Sequence, residues 1–388
     1  MRMKFGLFLA LFHRLGENPT LSLERDFELI ELLDKLGYDE VWVGEHHSAG
    51  WETIASPEVF IAAAAMRTRQ IKLGTGVVSL PYHHPLMVAN RMVLLDHITR
   101  GRAMLGVGPG ALVTDALMLG IEPTRQRQMM GESLDAIMEL LTSDEPVNRK
   151  TDWFELVNAR LQLKSFTEPH LPIAVASVQS PAGVQLAGKH GVGVITVGTR
   201  IGVRGAVDIG EQWRIAEDSA AAHGKTMDRA SWRISMPVHL ADSRKEAIAD
   251  IKEWGGHYWT EYSGRATGTF EVPDCPRDEI IERLAADGAV IVGTPDDLIA
   301  TMERYQELTG GYGGFLVRVH EWPTSWEKTR HSYELLARYV MPRFQGSLRG
   351  LEASYQDATR RMTDTKATRR AAIEQAHQDY AAQAVPRV

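Results

Sequence analysis

"TLSLERDFELIELLDKLGYDEVWVGE", residues 20–45, joins two different patterns at a single glycine. From Thr20 to Leu36 apolar residues recur three and four apart, which predicts an amphipathic helix capped by Thr20 or Ser22 and closed at Gly37. From Tyr38 to Glu45 the pattern shortens to an apolar run, "YDEVWVGE", which predicts a buried strand. Upstream, "KFGLFLALF" (residues 4–12) is also strand-like, so the stretch completes a strand–helix–strand unit. Strands joined by a crossover helix lie parallel.

The unit repeats along the chain. "SPEVFIAAAAMRTRQ" opens with Ser56 as cap and Pro57 at the first helical position, and "IKLGTGVVSLP" follows as a strand. "PLMVANRMVLLDHITRG" and "RAMLGVGPG" are the next pair, then the helix "RQRQMMGESLDAIMELLTS" and the strand "PIAVASVQS". "SPAGVQLAGKHG", "GVITVGT", "WRISMPVHLA" and "GGFLVRVH" continue the series to "SYELLARYVMPRF". Eight strand candidates alternating with helices predict an α/β chain folded as a (β/α)₈ TIM barrel, with a doubly wound open sheet as the alternative. Residues 250–290 depart from the repeat and read as an insertion near the barrel mouth. The barrel domain is assigned to 1–346, and the Ala-rich, charged residues 347–388 to a helical C-terminal extension suited to a subunit contact.

Composition excludes several function classes. The chain has 388 residues, 44% of them hydrophobic, enough for a large core. Its 43 basic and 50 acidic residues give a formal charge of −7, without the basic excess that nucleic-acid binding needs. One cysteine, Cys275, excludes an intramolecular disulfide framework and any multi-thiolate metal site, and fits a reducing, cytoplasmic setting. No apolar run approaches the roughly 18 residues of a membrane span. "MRMKFGLFLALFHRLGENP" reads as a first strand rather than a signal peptide, because His13 and Arg14 interrupt it and no small-residue cleavage site follows.

In such a barrel the C-terminal strand ends carry the chemistry. Those ends hold Glu45, His46 and His47; Gly74 to Pro81; "GVGPG"; and "ASVQSP". Gly76, Gly106, Gly108 and Gly110 leave room for a flat ligand against the backbone. Ser177 and Ser180, with the helix start after Pro181, suit a phosphate, since free N–H groups and the helix dipole both attract an anion. Adjacent histidines on a loop also suit plain polar surface. His46 and His47 are not an i, i+4 pair and no HExxH occurs, so no metal site is expected. His83 and His84 in "YHHP" are candidates for a second wall of the mouth. Trp254, His257, Tyr258, Trp259 and Tyr262 form either the core of the insertion or the cap of an apolar pocket. "GVGPG" departs from the dinucleotide motif G-x-G-x-x-G, and Met129 and Met130 read as packing.

The ordered series "FGLFLALF", "LGYDEVWVGEHH", "SPEVFIAAAA", "IKLGTGVVSLPYHHPLMVA", "LLDHITRGRAMLGVGPG", "PIAVASVQSP", "VGTPDDLIATMERY" and "SYELLARYVMPRF", spanning residues 3 to 345, resembles the bacterial luciferase-like family of flavin-dependent monooxygenases, and within it the limonene 1,2-monooxygenase-like branch. The resemblance implies a TIM barrel that takes reduced FMN from a separate NAD(P)H:flavin reductase. With O₂ it would oxygenate a small apolar substrate, a terpene-like alkene or ketone, through a flavin C4a-(hydro)peroxide. It places the catalytic histidine at His46, with Glu45 or His47 setting its tautomer, and a cis peptide beneath the flavin at Gly76 and Val77. The phosphate would meet Arg127, with Arg125 as neighbouring candidate, and the loop Ser177, Val178, Gln179 and Ser180. Where luciferase itself has a cysteine and then an arginine beside the flavin, this chain has Gly108 and Pro109. Cysteine support and light emission are therefore not implied, and Gly108 leaves room over the ring. Sister enzymes that use F420 share the barrel, so an F420-dependent dehydrogenase is the alternative, as is a non-catalytic flavin-binding barrel. The family also implies a homodimer or higher homo-oligomer.

Overall fold

The helix written by residues 20–36 begins slightly earlier, as Pro19–Leu36, in the computed structural model, which describes residues 2–9, 12–178, 181–197, 208–268, 271–318 and 322–383. Neither Thr20 nor Ser22 caps it. Asn18 does, accepting from the backbone N–H groups of Thr20 (3.0 Å) and Leu21 (3.4 Å), because Pro19 has the fixed φ of a first helical residue and no N–H to satisfy. Gly37 ends the helix in the left-handed conformation, φ 81°.

Eight parallel strands close on themselves. They are β1 (Lys4–Leu9), β2 (Glu40–Val43), β3 (Lys72–Thr75), β4 (Ala103–Gly108), β5 (Ile173–Ser177), β6 (Gly193–Val197), β7 (Trp232–Leu240) and β8 (Gly314–Arg318). Each pairs with the next, and β8 pairs with β1 through Lys4–Gly314 to Leu7–Val317. Closure removes both sheet edges, and the open-sheet alternative is excluded. All eight strand candidates of the sequence are staves of this barrel. Alternate residues point inward. Phe8, Trp42, Met104, Ala174, Ile195 and Leu316 accordingly pack the lumen. Below them Glu40 and Arg233 form a buried pair at 2.5 and 3.0 Å, with the guanidinium carbon 4.9 Å from the Trp42 ring centroid.

Among the described residues four strand segments lie beyond the repeat. Val78–Ser79 extends β3 along β4, and Ile291–Gly293 pairs with the end of β7. An antiparallel ribbon joins Val147–Lys150 to Glu155–Ala159, which its mostly polar sequence concealed. The insertion after β7 comprises a helix (Arg244–His257), a π-helix (Tyr258–Thr267) and a further helix (Ile280–Ala286) around an apolar core that includes Tyr258, Trp259, Tyr262 and Trp322. The chain divides into two compact units, Met1–Met341 and Pro342–Val388; the second contains the exposed helices Arg349–Arg360 and Met362–Gln383. Among the described residues no helix is long and apolar enough to cross a membrane.

Candidate active site

Strand β2 ends at Val43, and the next residues climb out of the barrel as a loop. Ala49 and Gly50 both take left-handed conformations, φ 66° and 76°, and turn the chain back on itself. The returning segment is fixed by a bridge between Phe12 and Glu52 and by the His46 amide donating to the Ile54 carbonyl at 3.2 Å. Glu52 thereby arrives beside His46. From the other side the short helix Val113–Met118, which follows β4, presents Asp115.

The His46 ring lies between these two carboxylates. Nε2 is 3.0 Å from Glu52 Oε2 and Nδ1 is 3.1 Å from Asp115 Oδ2. Ionised carboxylates only accept hydrogen bonds, so both ring nitrogens donate and the ring is an imidazolium. Burial opposes that charge, but Glu52 and Asp115 outweigh it and lift the His46 pKa to about 10. The Asp115 side chain is only 1% exposed. Burial alone would raise its pKa, yet the bonds from His46 and Ser48 hold it below the usual carboxylate range. The His47 amide also donates to Asp115 Oδ1, at 3.1 Å. Glu52 accepts from Tyr262 Oη at 2.7 Å, which ties the insertion to the site. Burial and then the nearby Glu52 charge push the Tyr262 hydroxyl pKa well up.

A second cluster is centred on Glu45. Its carboxylate accepts from His47 Nε2 (3.0 Å), His83 Nε2 (2.6 Å) and the Ser79 amide (2.7 Å). Burial pushes Glu45 up, but the bonds from His47 and His83 hold it low, and the bond to Glu45 in turn raises His47. Arg91 Nη2 lies 3.3 Å from His83 Nδ1; a guanidinium only donates, so Nδ1 accepts and Nε2 carries the proton given to Glu45.

The adjacent residues Glu45, His46 and His47 therefore divide between two networks. Glu45 does not set the tautomer of His46, and neither does His47; Glu52 and Asp115 hold that ring, because side chains one apart on an extended loop diverge. Of the "YHHP" pair, His83 joins the site and His84 packs on Phe154 instead. The peptide between Gly76 and Val77 is cis. Space beside the strand-end glycines is filled by the chain itself: a Cβ on Gly106 would lie 2.1 Å from the Thr75 carbonyl oxygen, and one on Gly108 2.6 Å from a Val77 methyl. At Gly106 and Gly108 the neighbouring segments therefore leave no room for a side chain.

Arg127, exposed on the first turn of the helix Gln126–Thr142, shares a groove of about 650 Å³ with Ala182 and Gln185, on the helix Pro181–His190 that follows β5. Arg125 is committed to Asp152 in an ion pair. Ser177 is buried at the end of β5 and Val178 is exposed, while Gln179 and Ser180 lie outside the described residues. Met129 and Met130 are buried packing. The aromatic residues of the insertion form its core and at the same time cover the site: Phe12 contacts Tyr258 at 4.4 Å and Tyr262 at 5.0 Å between ring centroids. In a π-helix residues four apart nearly eclipse, and Tyr258 and Tyr262 stack at 5.2 Å.

Sequence reading missed Glu52 and Asp115, and it named Tyr262 only as one of the insertion's aromatic residues, without its bond to Glu52. Glu52 lies five residues after His47 on the same loop, and the flanking Ala49-Gly50 turn was the available signal. Asp115 and Tyr262 reach His46 only through barrel closure and the fold of the insertion.

A luciferase-like monooxygenase family model matches residues 3–311. The chain is 52% identical to 4-hydroxyprotoasukamycin monooxygenase of Streptomyces nodosus subsp. asukaensis over 91% of this chain and 95% of the relative. It is 45% identical to limonene 1,2-monooxygenase of Rhodococcus erythropolis, covering 89% and 88% respectively. Among solved structures, the oxygenating constituent of 3,6-diketocamphane monooxygenase from Pseudomonas putida, a type II Baeyer-Villiger monooxygenase in complex with FMN, matches with a TM-score of 0.73 at 24% identity over 88% of this chain and 98% of that one. With its closed barrel and strand-end site, the chain belongs to the luciferase-like monooxygenase family and is an oxidoreductase.

Proposed function

We propose that this chain is the oxygenase component of a two-component flavin-dependent monooxygenase, receiving reduced FMN from a separate reductase and using O₂ to oxygenate a small apolar substrate. The observation that carries the reading is the His46 imidazolium clamped between Glu52 and Asp115 at the barrel mouth. Reduced flavin, when bound, supplies the two electrons that activate oxygen. The residues present fit that group. Arg127 shares a groove with the first turn of the Pro181–His190 helix, where a phosphate would meet a cation and the positive end of the helix dipole; Ser177 at the end of β5 and Val178 precede that helix, and Gln179 and Ser180, also proposed for the phosphate, lie outside the described residues. Gly76, Val77 and Gly108 line the strand ends on which the ring would rest.

His46 holds a proton at neutral pH and would hydrogen-bond the reacting oxygen from Nε2 or Nδ1, exchanging its carboxylate partner as it does so. Glu45 and His47 brace the loop that carries it, with His83. Phe12, Tyr258 and Tyr262 keep water from the site, and an apolar substrate suits that wall. The names of the relatives support oxygenation of terpene-like and ketone substrates.

The test is anaerobic titration of the purified chain with reduced FMN and separately with reduced F420, followed by oxygenated buffer. Tight binding of reduced FMN, and oxygen consumption linked to it, is the expected result. Preference for F420 with no oxygen requirement would overturn the proposal in favour of a dehydrogenase.

A further inference from the structure

Strand β8 carries Gly314, Leu316 and Arg318 at alternate positions, hence on one face. Gly314 adjoins Arg233 and Glu40 at the lower end of the lumen, and Leu316 belongs to its packed core. Arg318 is therefore the inward residue at the upper, C-terminal end. Its Nε is sealed from solvent without a hydrogen-bond partner, and neither Nη makes a hydrogen bond or ion pair with the described residues. Glu52 and Tyr258 are its electrostatic neighbours; burial keeps the Tyr258 hydroxyl neutral, and Glu52 Oε2 already serves His46 and Tyr262. Burial depresses the guanidinium pKa, and these neighbours do not fully offset it.

Arg318 as a whole is half-buried, but an Nε sealed without a partner is costly, and a guanidinium offers a planar fork of donors matched to two adjacent acceptors. The missing partner is then an anion brought by a ligand. Phosphate has its candidate place beyond β4 and β5, away from β8 in the strand order, and the proposed substrate is apolar. The remaining anion is the ring of reduced flavin, whose negative charge at neutral pH is shared between N1 and the C2 carbonyl oxygen. We propose that Arg318 binds this anionic edge and thereby makes the barrel select reduced over oxidised flavin. The inference rests on the FMN reading above.

The full chain and its Arg318→Met and Arg318→Lys variants are titrated anaerobically with reduced and oxidised FMN, and the midpoint potential of bound FMN is measured. Wild type prefers the reduced form. Arg318→Met loses at least about tenfold of that preference, a drop of about 30 mV in the two-electron potential, and Arg318→Lys keeps most of it. Without ligand, Arg318→Met melts no lower than wild type, since it removes an unpaired charge. A Met variant that keeps the wild-type preference, weakens both redox states equally, or melts lower without ligand overturns the role of Arg318 alone. Wild type that binds neither form of FMN overturns the functional reading and this inference with it.

Discussion

The two ends of the barrel lumen treat buried charge in opposite ways. At the lower end Arg233 and Glu40 satisfy each other through two hydrogen bonds, 2.5 and 3.0 Å, with no water and no ligand needed. Burial would raise the Glu40 pKa, but Arg233 overcomes it and keeps the carboxylate low. At the upper end His46 is shared by two carboxylates, and Arg318 has no hydrogen-bond or ion-pair partner among the described residues. A closed pair fixes the barrel, whereas open valences are useful only when something else arrives. The division follows the general rule that the lower face of such barrels stabilises and the upper face reacts.

The strongest way to break the upper end is His46→Ala. Loss of a positioned proton donor is expected to lower oxygenated product by roughly 10²–10⁴-fold while NAD(P)H oxidation by the reductase continues, so the two become uncoupled. Product and NAD(P)H measured together check this, and unchanged coupling and rate would remove His46 from the chemistry. The matching change at the lower end is Glu40→Gln, which strands Arg233 in the lumen. It is expected to destabilise the fold by about 3–5 kcal/mol in denaturant unfolding, while folded protein still distinguishes reduced from oxidised FMN. A loss of that discrimination with stability intact would show that the two ends are not separate.

The smallest effect is read from pH. The His46 pKa rises from 6.5 to about 10 on folding, so its contribution to stability is complete below pH 6.5 and is lost as pH climbs through about 10. Wild type should lose stability across that window, and His46→Gln should flatten the slope there. Asp115 and Glu45 act oppositely: their pKa values are depressed, so their contribution is present above the ordinary carboxylate range and is lost on acidification below it. A His46→Gln profile parallel to wild type between pH 6.5 and 10 would contradict the imidazolium.

How the site came together also separates the legible from the illegible. Gly37, the Asn18–Pro19 start and the run "EVWV" are local signals, and each strand of the barrel carried such signals in its own residues. Even there one detail escaped, because a proline after Asn18 shifted the cap upstream of Thr20. Adjacency of Glu45, His46 and His47 was equally legible, but it suggested one triad where the structure has two networks. Asp115 lies on a separate helix after β4, and Tyr262 on a π-helix more than two hundred residues from His46 in the chain. No periodicity connects such positions.

By itself the sequence determined the alternation of strands and helices and the strand ends on which reactive residues would sit. Those properties are set by neighbours a few residues apart, through side-chain spacing, caps and turns. Tertiary structure alone decided which carboxylates hold His46, that neighbouring segments exclude a side chain at Gly106 and Gly108, and that Arg318 stands inward without a partner among the described residues. Those outcomes depend on closing the sheet and folding the insertion over it, which bring together groups whose separation along the chain carries no signal of their meeting.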